Sequence, residues 1–291
     1  MTVAEQLRRR LREPRILIVP GVFDALSARL AERAGFEAAF MSGFAVSAAR
    51  IGAPDTGLIS YGEMLDQGRD LCAAVSIPVI GDGDTGYGNA LNVRRTVAGY
   101  ARAGFACVMI EDQVAPKRCG HTRGKQVVGR EEACARIRAA VDEREAGADI
   151  LVMARTDANA CLGLEEAIER CRRFAALGAD ITFLEAPRSR AEMAAYCEAV
   201  PGPKMANLVE QGETPLLDAA ELEALGYAIA LHPVTALLAA LAAMEEALGA
   251  LAAGTPAPRL ASFEHLREVV GFPEYYQAER RYAGPGPQGG P

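Results

Sequence analysis

The residues best placed to do chemistry are two acidic pairs and one cysteine set among cations. Asp82 and Asp84 lie in Gly81-Asp82-Gly83-Asp84-Thr85-Gly86, directly after the apolar run 77–80. Glu111 and Asp112 close a second apolar run, 106–110. On an extended segment, residues two apart turn their side chains to one side, so Asp82 and Asp84 can present both carboxylates together. Gly81 and Gly83 have no side chains to crowd that approach. Carboxylates without a nearby Cys/His ligand pattern suit Mg²⁺ or Mn²⁺ rather than zinc. Mg²⁺ keeps several waters, so outer acids such as Glu111 and Asp55 can act through water. The plain structural alternative is that Asp84 caps a helix in a turn ending at Asn89.

Cys119 lies in Pro116-Lys117-Arg118-Cys119-Gly120-His121, with Arg123 and Lys125 close behind. Positive neighbours lower a thiol pKa from its reference of about 8.5. The segment 113–129 has no clear periodicity, and long unpatterned loops in compact domains often serve as lids. An ordinary exposed cysteine in a basic loop is the competing reading. Arg155, in Met153-Ala154-Arg155-Thr156-Asp157, offers a planar fork suited to a carboxylate. It can equally pair with Glu185 or Asp157, and both roles can hold together. Asn207 and Glu210 either orient a substrate carboxylate or cap the following loop. His232 reads as a packed, hydrogen-bonded group, and His265 carries no signal.

Elements must hold these groups, and the pattern that does so repeats: an amphipathic helix, a glycine near its end, then a short apolar run. Gly35, Gly104, Gly147, Gly178 and Gly226 occupy the turning point, where a left-handed cap sends the chain back. Strands are expected at 16–20, 38–42, 78–81, 106–111, 150–155, 181–185, 204–207 and 228–232. Helices are expected at 24–34, 61–75, 91–103, 130–145, 164–177 and 219–225. Runs this apolar, alternating with helices, imply a parallel sheet covered on its outer face. Eight such units in about 250 residues fit a (β/α)8 TIM barrel. The rival is an open doubly wound sheet, but no G-x-G-x-x-G opens a helix after the first strand. In a barrel, chemistry sits at the C-terminal strand ends. Ser42, Asp82, Glu111, Arg155, Glu185, Asn207 and His232 all fall there, which is the strongest argument for an enzyme.

Composition narrows the class further. Half of the 291 residues are hydrophobic, enough for one large core. Residues 1–283 read as a single barrel domain with a C-terminal helical extension, and the Gly/Pro-rich 284–291 as a disordered tail. A net charge of −7 argues against a nucleic-acid surface. The run Arg8-Arg9-Arg10-Leu11-Arg12 reads as a solvated helix face. No apolar stretch is expected to reach membrane length, since Glu245-Glu246 interrupts the one after Ala236. Seven cysteines, an odd number without a C-x-x-C pair, point to reduced thiols in a cytoplasmic compartment. Cys72, Cys107, Cys134, Cys161, Cys171 and Cys197 are expected to be small buried apolar residues.

Taken together, these motifs resemble the isocitrate lyase/phosphoenolpyruvate mutase superfamily over most of the chain. The marks are Pro20-Gly-Val-Phe-Asp-Ala-Leu-Ser27, Gly52-Ala-Pro-Asp55, Asp82-Gly-Asp-Thr-Gly-Tyr-Gly-Asn89, Ile110-Glu-Asp-Gln113, Lys117-Arg-Cys-Gly-His121, Ala154-Arg-Thr-Asp-Ala158, Glu185-Ala-Pro187 and Asn207-Leu-Val-Glu-Gln-Gly-Glu-Thr-Pro215. Lys-Arg-Cys-Gly-His is the specific one, marking the carbon–carbon lyases of that group. The resemblance implies a (β/α)8 barrel whose C-terminal helix, here 235–251, is swapped with a neighbour, usually in a homotetramer. It implies Mg²⁺ (or Mn²⁺) on Asp82 and Asp84, with Asp55 and Glu111 in the outer shell. Ser42, Gly43, Phe44, Gly120, Arg155, Glu185 and Asn207 would line the substrate site. Cys119 would be the general acid, with Lys117, His121 and Glu111 completing the catalytic set.

Two departures narrow the implied substrate. The 2-methylisocitrate lyases of that group carry arginines at the position of Leu238 and near Phe263, and both help bind a tricarboxylate. Here both positions are apolar. The pattern therefore resembles the 2-alkylmalate lyases, including the 2,3-dimethylmalate and petal-death types, which cleave a 2-hydroxy dicarboxylate by retro-aldol chemistry. Oxaloacetate-hydrolysing relatives tend to carry serine where Pro233 stands. A carboxyphosphonoenolpyruvate mutase branch shares the cysteine motif, so phosphonate chemistry stays open, as do oxaloacetate and 2-methylisocitrate cleavage.

Overall fold

The computed structural model describes residues 1–118 and 124–283. It contains eight strands: β1 (Leu17–Val22), β2 (Ala39–Met41), β3 (Val79–Asp82), β4 (Cys107–Glu111), β5 (Leu151–Thr156), β6 (Ile181–Leu184), β7 (Met205–Asn207) and β8 (Ile229–His232). All pair in parallel, in the order β6-β5-β4-β3-β2-β1-β8-β7. A lone parallel bridge between Thr182 and Lys204 joins β6 to β7, so the sheet curls into a nearly closed (β/α)8 barrel. Each expected strand is present, within a residue or two at its ends. The expected helices are present too, with Arg130–Glu145 and Ala219–Leu225 at the expected bounds. All five turning glycines have positive φ, from 88° at Gly35 to 115° at Gly147. At those two positions an added Cβ would meet nothing, so the left-handed backbone itself is what glycine supplies.

Alternation along the strands sorts the core into two layers. Leu17, Val19, Phe40, Ile80, Met109, Met153, Phe183, Met205 and Leu231 point inward and form one buried cluster that fills the barrel. Residues of opposite parity, such as Val79, Val108 and Val152, pack outward against the helices. Helix Val3–Arg10 closes the floor, adding Ala4 and Leu7 to the interior cluster. This corrects the reading of the arginine run as wholly solvated. Arg10 is buried, donating to the carbonyls of Arg15 (2.7 Å) and Ile16 (3.1 Å) and to Glu37 (3.1 Å). Cys161 also departs from expectation, because it is exposed rather than packed in the core.

The chain divides into two compact units, Met1–Ala239 and a second beginning at Ala240. The second contains most of helix Thr235–Ala252 and the helices Phe263–Val269 and Phe272–Tyr282. Helix Thr235–Ala252 buries none of its residues. At 18 residues and mean hydropathy 1.5 it is long and apolar enough to cross a membrane by length and composition, which corrects the expectation that no stretch would be. Residues 284–291, expected to form a disordered tail, lie outside the described residues.

Candidate active site

The site is the next layer of the barrel. Two residues beyond inward-facing Phe40, Ile80, Met109, Met153, Phe183 and Met205 come Ser42, Asp82, Glu111, Arg155, Glu185 and Asn207. The period of two that fills the interior with apolar side chains therefore delivers polar ones to its mouth. Ser42, Asp82, Arg155, Glu185 and Asn207 line a cavity of about 290 Å³ with Phe44, Asp55, Lys117 and Arg118. Its remaining wall includes Val209, Pro233, Val234 and Leu238.

Backbone contacts build the acidic side. Ser42 caps the short helix Gly43–Val46, accepting from the Ala45 amide. The Gly43 amide donates to Asp82 at 3.2 Å, and a Cβ on Gly43 would lie 2.6 Å from that carboxylate. Asp84 takes φ +48° and its amide donates to Asp82 at 3.0 Å. The amide of Glu111 donates to the Asp84 carbonyl at 2.9 Å, linking the ends of β3 and β4. The Lys117 ammonium lies 2.6 Å from Asp55 and 2.8 Å from Asp84.

Crowding of buried carboxylates leaves its mark on their titration. Burial, with Asp82 and Asp55 adding repulsion, pushes Asp84 up to about 7 despite Lys117. Burial also pushes Glu111 well above the usual carboxylate range, although Arg155 opposes it. Burial works against the Lys117 ammonium, but Asp84, Asp82, Asp55 and Glu111 overcome it and hold the proton firmly.

This donor set fits a hard divalent cation. All the candidate donors are carboxylate oxygens. Glu111 Oε1 accepts no hydrogen bond, and Asp55 and Asp84 are ion-paired to Lys117, which also donates to Asp55 Oδ2 at 2.6 Å. Among the described residues no group of three or more His, Cys, Asp or Glu is arranged to hold a metal by itself. Mg²⁺ does not require one, since it is usually bound by one or two carboxylates and keeps its waters.

Arg155 sits across from these acids. Its Cα is in register with Glu111 on one side and Phe183 on the other. Its guanidinium contacts Asp157 (2.8 Å), Glu185 (3.1 Å) and Glu111 (3.2 Å) and lies over the Phe183 ring. Arg155 is thus ion-paired, and it also lines the cavity. Asn207 donates to Glu185 at 3.3 Å. Lys125 reaches Asp157 at 2.9 Å, and burial is outweighed there by Arg155 and Lys125, so Asp157 titrates below its usual range.

Most expected site residues therefore converge, while Cys119, Gly120 and His121 lie outside the described residues. Phe263 belongs to the second unit and is exposed. The apolar wall is marked in the sequence at Pro233 and Leu238 but not at Val209 and Val234. Its signal is the same period of two, because Pro233 follows inward-facing Leu231.

Fold and site together define a (β/α)8 barrel with an acid-lined active site at its C-terminal mouth. Residues 7–252 match the phosphoenolpyruvate phosphomutase family. A 2,3-dimethylmalate lyase from Eubacterium barkeri is 41% identical over 97% of this chain and 99% of its own length. A 2-methylisocitrate lyase from Halalkalibacterium halodurans is 42% identical over 84% and 80%. The structure of an oxaloacetate acetylhydrolase with 3,3-difluorooxalacetate superposes with a TM-score of 0.94, at 37% identity and 98% coverage of both chains. The chain belongs to the phosphoenolpyruvate mutase/isocitrate lyase superfamily and is an enzyme, a carbon–carbon lyase of that group.

Proposed function

We propose that this enzyme cleaves a 2-alkylmalate-type 2-hydroxy dicarboxylate into a 2-keto acid and a carboxylic acid. The observation that carries the reading is the mixed lining of the cavity. Its lining combines the ionic groups Asp55, Asp82, Lys117, Arg118, Arg155, Glu185 and Glu210 with the aliphatic side chains of Val209, Pro233, Val234 and Leu238. Two arginines suit two carboxylates. A third carboxylate against the aliphatic wall would lack a partner, whereas an alkyl group there gains roughly 0.8 kcal/mol per buried methylene.

Asp82 and Asp84 would hold Mg²⁺ or Mn²⁺, with Asp55 and Glu111 acting through its waters. The ion supplies polarisation of the 2-oxygen and its carboxylate. Arg155 and Asn207 orient the substrate, and Ser42, Gly43, Phe44, Gly120 and Glu185 shape its seat. A base takes the 2-hydroxyl proton as the C2–C3 bond breaks, and its electron pair passes to C3 beside the second carboxylate. Cys119 protonates that carbon as the general acid, so its thiol keeps a proton at working pH. Lys117 and His121 offset the developing negative charge, and Glu111 completes the catalytic set through the ion's waters.

The same reading includes a homotetramer with swapped C-terminal helices, in a cytoplasmic compartment. Leu237, Leu241, Met244, Leu248 and Leu251 recur at alternating spacings of four and three along helix Thr235–Ala252, a coiled-coil seam. The test of substrate is a panel of malate, 2-alkylmalates, 2-methylisocitrate, oxaloacetate and carboxyphosphonoenolpyruvate with Mg²⁺, reading product release. Fastest turnover on a 2-alkylmalate supports the proposal, and fastest turnover on another member of the panel sinks it.

A further inference from the structure

Arg170 does not line the cavity, yet its side chain makes three hydrogen bonds close behind it. It lies in helix Leu164–Ala176 and is almost fully buried. Its guanidinium donates to Asp112 (2.8 Å), to the Val128 carbonyl (2.9 Å) and to Glu166 (2.8 Å) on its own helix. Asp112 is the residue immediately after β4 and is also buried. Besides Arg170, its carboxylate accepts from the Thr156 hydroxyl at 2.6 Å and from the Asp157 amide at 2.9 Å. Thr156 in turn accepts from the Ala158 amide at 3.1 Å. The turn leaving β5 is therefore tied to the end of β4 by one carboxylate, which one arginine holds, while Lys125 also meets Asp157. Asp157, on that turn, grips Arg155 through two hydrogen bonds of 2.8 and 3.1 Å.

We propose that Arg170, acting through Asp112, is a positioning residue for Arg155. It sets where the Asp157 carboxylate stands, and so the angle at which the Arg155 fork meets a substrate carboxylate. The inference rests on reading Arg155 as that carboxylate's partner. A planar fork recognises a carboxylate by direction as well as charge. Misplacing such a group by about 1 Å can cost roughly 100-fold, and losing an orienting partner of a binding group typically costs about 10–100-fold.

The test compares Asp112→Asn, Thr156→Val and Arg170→Lys in the full-length protein. Asp112→Asn changes one oxygen to an amide, which would turn a donor toward Arg170 or Thr156. Thr156→Val keeps shape and removes the hydroxyl. Arg170→Lys keeps charge but cannot reach all three acceptors. The readouts are affinity for oxalate with Mg²⁺ by calorimetry, and KM against kcat on the substrate found in the panel. Oxalate affinity should fall about 10-fold or more in Asp112→Asn. KM should rise by a similar factor while kcat stays within a few-fold. Arg170→Lys should lie between that variant and the unmodified protein. Arg155→Lys is the control. If it weakens oxalate while the other folded variants bind normally and only melt earlier, Arg170 and Asp112 merely stabilise the barrel and the inference fails. If Arg155→Lys itself leaves oxalate binding unchanged, the underlying reading of Arg155 fails instead.

Discussion

The Lys117 ammonium stands 2.8 Å from the Asp84 carboxylate and 2.6 Å from Asp55. One cation thus ties the segment after β4 to two acid-bearing loops, after β3 and after the π-helical turn Ser47–Ile51. Its positive charge occupies the same acidic cluster that suits a divalent ion. Lys117→Met should therefore leave Mg²⁺ affinity equal or higher, because a competing cation is gone. Turnover should fall by about 100-fold or more, the scale of a lost charge-stabilising group. Calorimetry for the ion and steady-state kinetics separate the two effects. Near-normal kcat would make Lys117 a structural tie only.

Asp84 gives a stability prediction with a definite sign. Without a divalent ion its carboxyl titrates at about 7 in the fold, against an ordinary 3.8. Between those values the folded state binds the extra proton. Ionising Asp84 therefore costs the fold stability as pH rises from about 4, and the full cost is present above about 7. Asp84→Asn removes that cost, and asparagine tolerates the left-handed backbone found here. In chelator at pH 8 the variant should melt above the unmodified protein, with the gap shrinking toward pH 4.5. Added Mg²⁺ should reverse the order, since only the unmodified protein gains ligand stabilisation. Equal melting temperatures in chelator at pH 8 would remove the basis for this.

Cys119→Ser should lose most turnover while oxalate binding survives. A hydroxyl is a far weaker acid than a thiol at the protonation step. A loss of several decades is expected, each worth about 1.4 kcal/mol. Retention of near-normal kcat would leave the proton donor unassigned and count against the lyase mechanism.

The barrel could be read from sequence because two local signals agree along the chain. Apolar runs mark the strands, and before β2, β4, β5, β6 and β8 a glycine stands where the backbone turns left-handed. The site acids could be read for the same reason, as strand ends are adjacent to strands. What escaped depends on contacts across the fold. Arg10 looks like its neighbours in sequence, and only the carbonyls of Arg15 and Ile16 make it a buried group. Nothing near Arg170 announces Asp112, 58 residues away. Cys161 follows an apolar-looking stretch but falls on the short helix Ala158–Cys161 at the barrel mouth, where it stays exposed.

The coiled-coil seam on helix Thr235–Ala252 predicts assembly. Leu241, Met244, Leu248 and Leu251 are each about half or more exposed in the single chain, which is an unusually large apolar stripe to leave in water. The unmodified protein should sediment as a tetramer. Leu241→Glu with Leu248→Glu should shift it to smaller species. A monomer at micromolar concentration, unaffected by these changes, would rule the assembly out.

Leu238 sets the last prediction, on substrate size. It belongs to the wall of the 290 Å³ cavity, alongside Pro233 and Val234. A carboxylate pressed against these side chains would lose its water and gain no partner, a penalty of several kcal/mol in a closed site. An alkyl substituent loses nothing there. The kcat/KM for a 2-alkylmalate should therefore exceed that for 2-methylisocitrate by at least about tenfold, a difference of only about 1.4 kcal/mol. Leu238→Arg should narrow the gap from both sides, adding a fork for the third carboxylate and spoiling the apolar seat. Among the described residues, Arg118 lines the same cavity as a further cation beside Lys117 and Arg155. If the unmodified protein cleaves 2-methylisocitrate efficiently, Arg118→Met should abolish that activity selectively. The alkylmalate assignment would then give way to a tricarboxylate one.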